Sequence, residues 1–174
     1  MKFKKYVFKE YSQKFPDLFN KEKNKLKHIL TKDAIIEHIG SSAIPGLGGK
    51  GIIDILISVM KKNIEKNKEE LQGHKYIFKP NAGSKERKYF EKDYVYDKKT
   101  RRVHIHLTFH NSSEFKQKVA LVKYLKKHPE VAKKYIKIKK DAVRHARGEG
   151  KKYGEYKLKF LEKLNKKALK EFSK

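Results

Sequence analysis

The chain has 174 residues, the size of one domain, and sets 46 Lys and Arg against 20 Asp and Glu for a formal net charge of +26. It contains no cysteine, which excludes disulfides and thiolate-bound zinc. Hydrophobic residues make up 37 %, with ten Tyr and ten Phe, enough apolar bulk for a packed core rather than a disordered polyelectrolyte.

The N-terminal stretch Met1-Lys-Phe-Lys-Lys-Tyr-Val-Phe is basic but has no apolar run of signal-peptide length. No later segment approaches the roughly 20 apolar residues of a membrane span. A soluble, cytoplasmic protein without a membrane partner is expected. Residues 9–30 read as a helix with apolar positions at Tyr11, Phe15, Phe19, Leu26 and Leu30, and Pro16 marks a break or a second helix start. Residues 33–39 read as a strand ended by Gly40-Ser41-Ser42, and a Gly-rich loop runs from Ala43 to Gly51. Ile52 to Val59 is a near-continuous β-branched run, the pattern of a strand buried on both faces.

A short helix follows at 62–72, and a strand begins at Tyr76 to Phe78. Two more strands, Lys88–Tyr96 and Arg101–Phe109, are joined by the turn Asp97-Lys-Lys-Thr. The rest is helical. Asn111 with Glu114 three residues on has the form of a capping box, and His128-Pro129 separates that helix from the next. Arg147 to Gly150 is a loop before a last helix carrying Tyr153, Tyr156, Phe160, Leu164 and Ala168. The pattern predicts one α/β (α+β) domain over residues 1–174. It comprises a small mixed sheet of about five strands, flanking helices and a C-terminal helical tail.

The charge has two readings. Of the basic residues 41 are Lys and five are Arg (Arg87, Arg101, Arg102, Arg144, Arg147), a balance that a compositional or high-temperature bias would give. Arg, with its planar fork, is the commoner reader of phosphate. Against that, residues 116–174 hold 21 Lys and Arg and six Asp and Glu, a net +15 on predicted helices. An RNA along this basic tail is the partner that the charge suggests.

The densest chemistry lies in Glu37-His-Ile-Gly40-Ser41-Ser42-Ala-Ile-Pro-Gly46-Leu-Gly48-Gly49-Lys50-Gly51-Ile-Ile-Asp54. A strand ending in Gly-Ser offers backbone N–H groups and a hydroxyl where no side chain blocks approach, a cradle for phosphate, and Lys50 adds a point charge. Asp54 sits alone in an apolar strand and needs a partner there: a metal ion, or the N–H groups of the Gly-rich loop. His104 and His106, two apart on a strand, share one face and are competent ligands or acid–base groups.

The run from Ile36 to Ile55 resembles the signature of the GrpB family. The resemblance continues in Arg87-Lys-Tyr89-Phe90, in His104-Ile-His106-Leu, in Tyr124-Leu-Lys-Lys-His128-Pro129 and in Tyr153-Gly-Glu155-Tyr-Lys157-Leu-Lys-Phe160. That family is similar to the nucleotidyltransferase superfamily of DNA polymerase β type. The resemblance implies a loop of Gly40, Ser41 and Ser42 gripping the phosphates of a nucleoside triphosphate. It also implies acidic residues on the next strand for Mg²⁺ or Mn²⁺, and transfer of a nucleoside monophosphate to an acceptor. Arg87 and Lys157 would reach phosphates. The pattern departs from the superfamily at Leu56, where a second carboxylate would stand on the face of Asp54. His104 and His106 are the expected substitutes, His106 sharing the divalent ion with Asp54 and His104 removing a proton. An imidazole within about 6 Å of the Asp54 carboxylate is therefore expected. The alternative is a non-catalytic RNA-binding or protein-interaction module on a degenerate fold.

Overall fold

Strand β2 (Ile53–Val59) is an interior strand of the sheet, with Ile53, Ile55, Ile57 and Val59 buried on one face and Leu56 and Ser58 buried on the other. Strand β1 (Ile35–Ile39) pairs with it antiparallel, placing Ile39 opposite Asp54 and Glu37 opposite Leu56. On its other side β5 (Lys99–Phe109) pairs parallel, with Asp54 beside His104 and Leu56 beside His106. Strands β4 (Lys88–Tyr96) and β3 (Ile77–Phe78) complete a five-stranded mixed sheet of order β1-β2-β5-β4-β3. The computed structural model describes residues 7–172, so most of the basic N-terminal stretch lies outside the described residues.

Alternation along the strands divides the sheet chemically. One face, with Ile53, Ile55, Ile57, Val103, Ile105 and Leu107, packs against helices α1 (Phe15–Ile29) and α2 (Ile64–Gly73) in a continuous apolar core. The other carries Asp54, Leu56 and Ser58 of β2 beside His104, His106 and Thr108 of β5. Helices α3 (Ser113–Lys127), α4 (Pro129–Ala146) and α5 (Gly150–Phe172) cover this second face, gathering Ile39, Leu47 and Leu56 into a second core. A face built from polar residues under a three-helix cover is what leaves room for a site.

Local chemistry explains where boundaries differ from the sequence pattern. Helix α1 begins at Phe15, not residue 9, because Lys9 exchanges both backbone hydrogen bonds with Gly49; Pro16 falls in the first turn, where its missing N–H goes unused. The β4–β5 turn is only Asp97-Lys98, both at φ +54, so β5 starts at Lys99 rather than Arg101. The cap of α3 is Ser112, not Asn111. Asn111 takes φ +62, and the Ser112 hydroxyl accepts from the Phe115 N–H at 3.1 Å while contacting the Thr108 hydroxyl at 2.8 Å. Ser112→Ala is expected to cost about 1 to 2 kcal/mol in urea unfolding, because it strips the cap and a partner of buried Thr108.

Among the described residues no helix is long and apolar enough to cross a membrane. The outer faces of α4 and α5 bear exposed lysines such as Lys133, Lys137, Lys159 and Lys163, but Lys139 is only 3 % exposed. Part of the positive charge therefore points inward.

Candidate functional site

Strand β1 ends at Gly40, whose φ of +70 and ψ of −169 suit glycine alone. A Cβ at this position would stand 2.5 Å from Asp54 Oδ2. Glycine is thus what lets the loop close against the carboxylate of the neighbouring strand. The following 3₁₀ turn, Ser41–Ala43, points its two hydroxyls differently. Ser41 faces the cavity over Asp54, whereas Ser42 is buried and its Oγ lies 3.0 Å from His38 Nε2. Ser42 was expected at the phosphates; it is instead spent on His38, which stacks on Phe19.

Both histidines lie within reach of Asp54. His104 Nδ1 is 3.2 Å and His106 Nε2 3.6 Å from Asp54 Oδ1, and the ring of Tyr89 stands edge-on to both imidazoles. Burial disfavours ionisation of Asp54, but hydrogen bonds from the two histidines outweigh it and hold its carboxyl well below the usual carboxylate range. Arg87 fixes the tautomer of His106. Its guanidinium can only donate, and its Nη1 lies 3.0 Å from His106 Nδ1, so that nitrogen holds the lone pair and Nε2–H faces Asp54. Burial pushes the His106 imidazole down to about 4, which keeps it neutral in this role. Arg87 also pairs with Glu114 at 3.3 Å. It was expected at the phosphates; it is committed behind His106 instead.

This donor set does not fit a divalent ion shared by Asp54 and His106. The lone pair of His106 is turned to Arg87, Leu56 supplies no second carboxylate, and the surrounding charges are positive. Among the described residues no group of three or more His, Asp or Glu side chains is arranged to hold a metal ion.

The cavity above Asp54, about 250 Å³, has a mixed lining. Gly40, Ser41, Asp54, His104 and His106 of the sheet side contribute to it with Lys50 from the loop, and Ile44, Leu47, Leu121 and Leu125 add apolar surface. Lys118 of α3, Lys139 of α4 and Lys157 of α5 enter from the helical cover, as do Tyr135 and Tyr153. Lys50, Ile52 and His104 also line a second, wider cavity of about 690 Å³ bordered by Tyr89, Arg101 and Arg102, so His104 stands between the two spaces. Of the residues expected from sequence, Gly40, Ser41, Lys50, Asp54, His104, His106 and Lys157 meet here; Glu37 is exposed and outside. Lys118, Lys139 and Tyr135 were not foreseen. Their signal was present: Tyr135, Lys139, Ala142 and Ala146 recur at helical spacing on the buried face of α4, so a lysine occupies an apolar stripe.

A family model described as GrpB protein matches residues 5–167. The chain belongs to the GrpB family. Among its relatives, the UPF0157 protein YqkA of Bacillus subtilis (strain 168) is 33 % identical over 138 residues, which are 78 % of this chain and 39 % of YqkA. The glutamate-rich protein GrpB of Alkalihalophilus pseudofirmus is 29 % identical over 161 residues, 88 % of this chain and 90 % of that protein. The crystal structure of the conserved protein GrpB from Enterococcus faecalis superposes with a TM-score of 0.81 at 30 % identity, covering 97 % of this chain and 100 % of the other. An MgGTP-bound structure of the Cid1 poly(U) polymerase superposes with a TM-score of 0.53 at 16 % identity, over 78 % of this chain and 44 % of that one. At that identity the likeness is one of fold, and the fold of this GrpB chain is nucleotidyltransferase-like.

Proposed function

We propose that this GrpB chain binds a nucleoside triphosphate with its phosphates against Gly40 and Ser41, and passes the nucleotidyl group to an acceptor hydroxyl. The observation that carries the reading is the Asp54–His104 pair, in which Asp54 lines the smaller cavity and His104 lines both. With its Nδ1–H given to Asp54, His104 keeps a lone pair on Nε2 and can take a proton. An acceptor hydroxyl from the wider cavity would attack the α-phosphorus. Its proton would pass to His104 Nε2, and pyrophosphate would leave. Asp54 orients the imidazole and stabilises the imidazolium, the part a carboxylate plays wherever it backs a histidine base.

The test is calorimetric titration with each of the four common ribonucleoside triphosphates, joined to an assay of pyrophosphate release. At least one nucleotide should bind saturably. Gly40→Ala should weaken that binding tenfold or more, because its Cβ displaces either the loop or the Asp54 carboxylate. If none of the four binds, the reading is wrong.

A further inference from the structure

Each of the three covering helices turns one lysine toward the sheet: Lys118 from α3, Lys139 from α4 and Lys157 from α5. With Lys50 from the loop, four ammonium groups share a cavity with a single carboxylate, Asp54. We infer that these four lysines hold the phosphate chain of the ligand directly, with no divalent ion between phosphate and protein. The inference rests on the nucleotide-binding reading above and deepens it.

Geometry is the first argument. The lysine heads are held rather than loose. Lys139 Nζ donates to the Gly48 carbonyl at 2.6 Å and lies 5.0 Å from the centre of the Tyr135 ring. Lys157 and Lys50 sit 4.1 and 5.2 Å from the centre of the Tyr153 ring. Held cations lining a concave, partly desolvated space make a preformed anion site, with little ordering cost left for the ligand to meet.

Charge balance is the second. Lys118 has Glu114 at 3.6 Å, but among the described residues neither Lys139 nor Lys157 has a carboxylate within ion-pair distance. Gathering cations away from water is unfavourable unless an anion joins them. Burial, then the neighbouring ammonium of Lys157, pushes Lys139 down to about 7, and burial with Lys50 pushes Lys157 down to about 8. A phosphate chain reverses both effects, whereas a further cation would add to them. The donor set at Asp54 points the same way, since the His106 lone pair is already taken by Arg87.

The decisive experiment is calorimetric titration of the whole chain with sodium tripolyphosphate and with ATP at low salt, in EDTA and again with Mg²⁺. In EDTA both ligands should bind at least as tightly as with Mg²⁺. Lys139→Gln and Lys157→Gln should each weaken binding tenfold or more, while Lys133→Gln on the exposed face of α4 should leave it unchanged. Lys139 is buried, so circular dichroism must verify its fold; Lys157, less enclosed, supplies the second test. Binding that requires Mg²⁺ or Mn²⁺ would overturn the inference and leave the nucleotide reading standing. Unchanged affinity in both folded variants would overturn it as well. Failure of both ligands under every condition would remove the nucleotide reading too.

Discussion

Asp54→Asn is expected to tighten tripolyphosphate binding several-fold, to slow the proposed nucleotidyl transfer by about 100-fold or more, and to destabilise the chain in the absence of phosphate. The binding term follows from charge. Asp54 is the one carboxylate in a cavity with four lysines, so its removal ends its repulsion of phosphate. The transfer term follows from orientation, because an amide does not stabilise the imidazolium of His104 as a carboxylate does. The stability term follows from the lost partner: the two imidazole N–H groups lose their carboxylate acceptor and the lysines their one counter-charge, which should cost about 2 to 3 kcal/mol. Titration and urea unfolding of the same sample read binding and stability. A metal-mediated site gives the opposite binding result: if Asp54→Asn abolishes phosphate binding, Asp54 acts through a cation.

Stability should climb as pH rises from about 7 toward 10, a range in which most proteins are level or declining. Lys139, near 7, and Lys157, near 8, release protons in the folded chain well before they would in the unfolded one, near 10.5. Between these values the unfolded chain binds more protons, so raising the pH favours the fold. The groups facing Lys139 are Lys50, Asp54 of β2, Tyr135 of α4 and Tyr153 and Lys157 of α5. Lys118 is lowered as well, chiefly by burial and then by Arg87, and adds to the slope. Above about pH 10 the sign reverses, because burial raises Tyr76, Tyr89 and Tyr135 and only their unfolded forms then ionise. The gain from pH 7 to 9.5 should be on the order of a few kcal/mol at low salt. Urea midpoints that stay flat or fall over that interval would show that the lysines are not held charged against each other. Saturating tripolyphosphate should flatten the climb, since the bound anion restores the protons.

The strands were legible where side-chain pattern alone decides them. The β-branched run of β2 and the alternation of β5 locate both. Their parallel pairing was not legible, since it depends on the covering helices rather than on either strand. The same division holds at the site. Asp54, His104 and His106 could be expected to meet because each is a polar interruption of an apolar strand that needs a partner. Ser42 and Arg87 were misplaced because their real partners, His38 in one case and His106 with Glu114 in the other, are set by packing that a linear pattern does not reveal. The inward lysines were hidden by abundance. Among 41 Lys, the few in apolar stripes look like the rest unless each helix is read for polar exceptions on its buried face.

The parallel pairing of β2 with β5, which sets Asp54 beside a histidine 50 residues later, also fixes when the site comes into being. A chain leaving the ribosome can close the β1–β2 hairpin early, because that contact is local. The sheet side of the cavity must then wait for β5, and the fourth lysine for the middle of α5 at residue 157. The inward lysines of α3 and α4 carry the same sign of charge as Lys157, so docking of α5 brings like charges together and should be slower at low salt than at high salt. A polyphosphate captured at that moment would neutralise the repulsion and draw the last helix down by mass action. The ligand would then act first as a folding partner and only afterwards as a substrate.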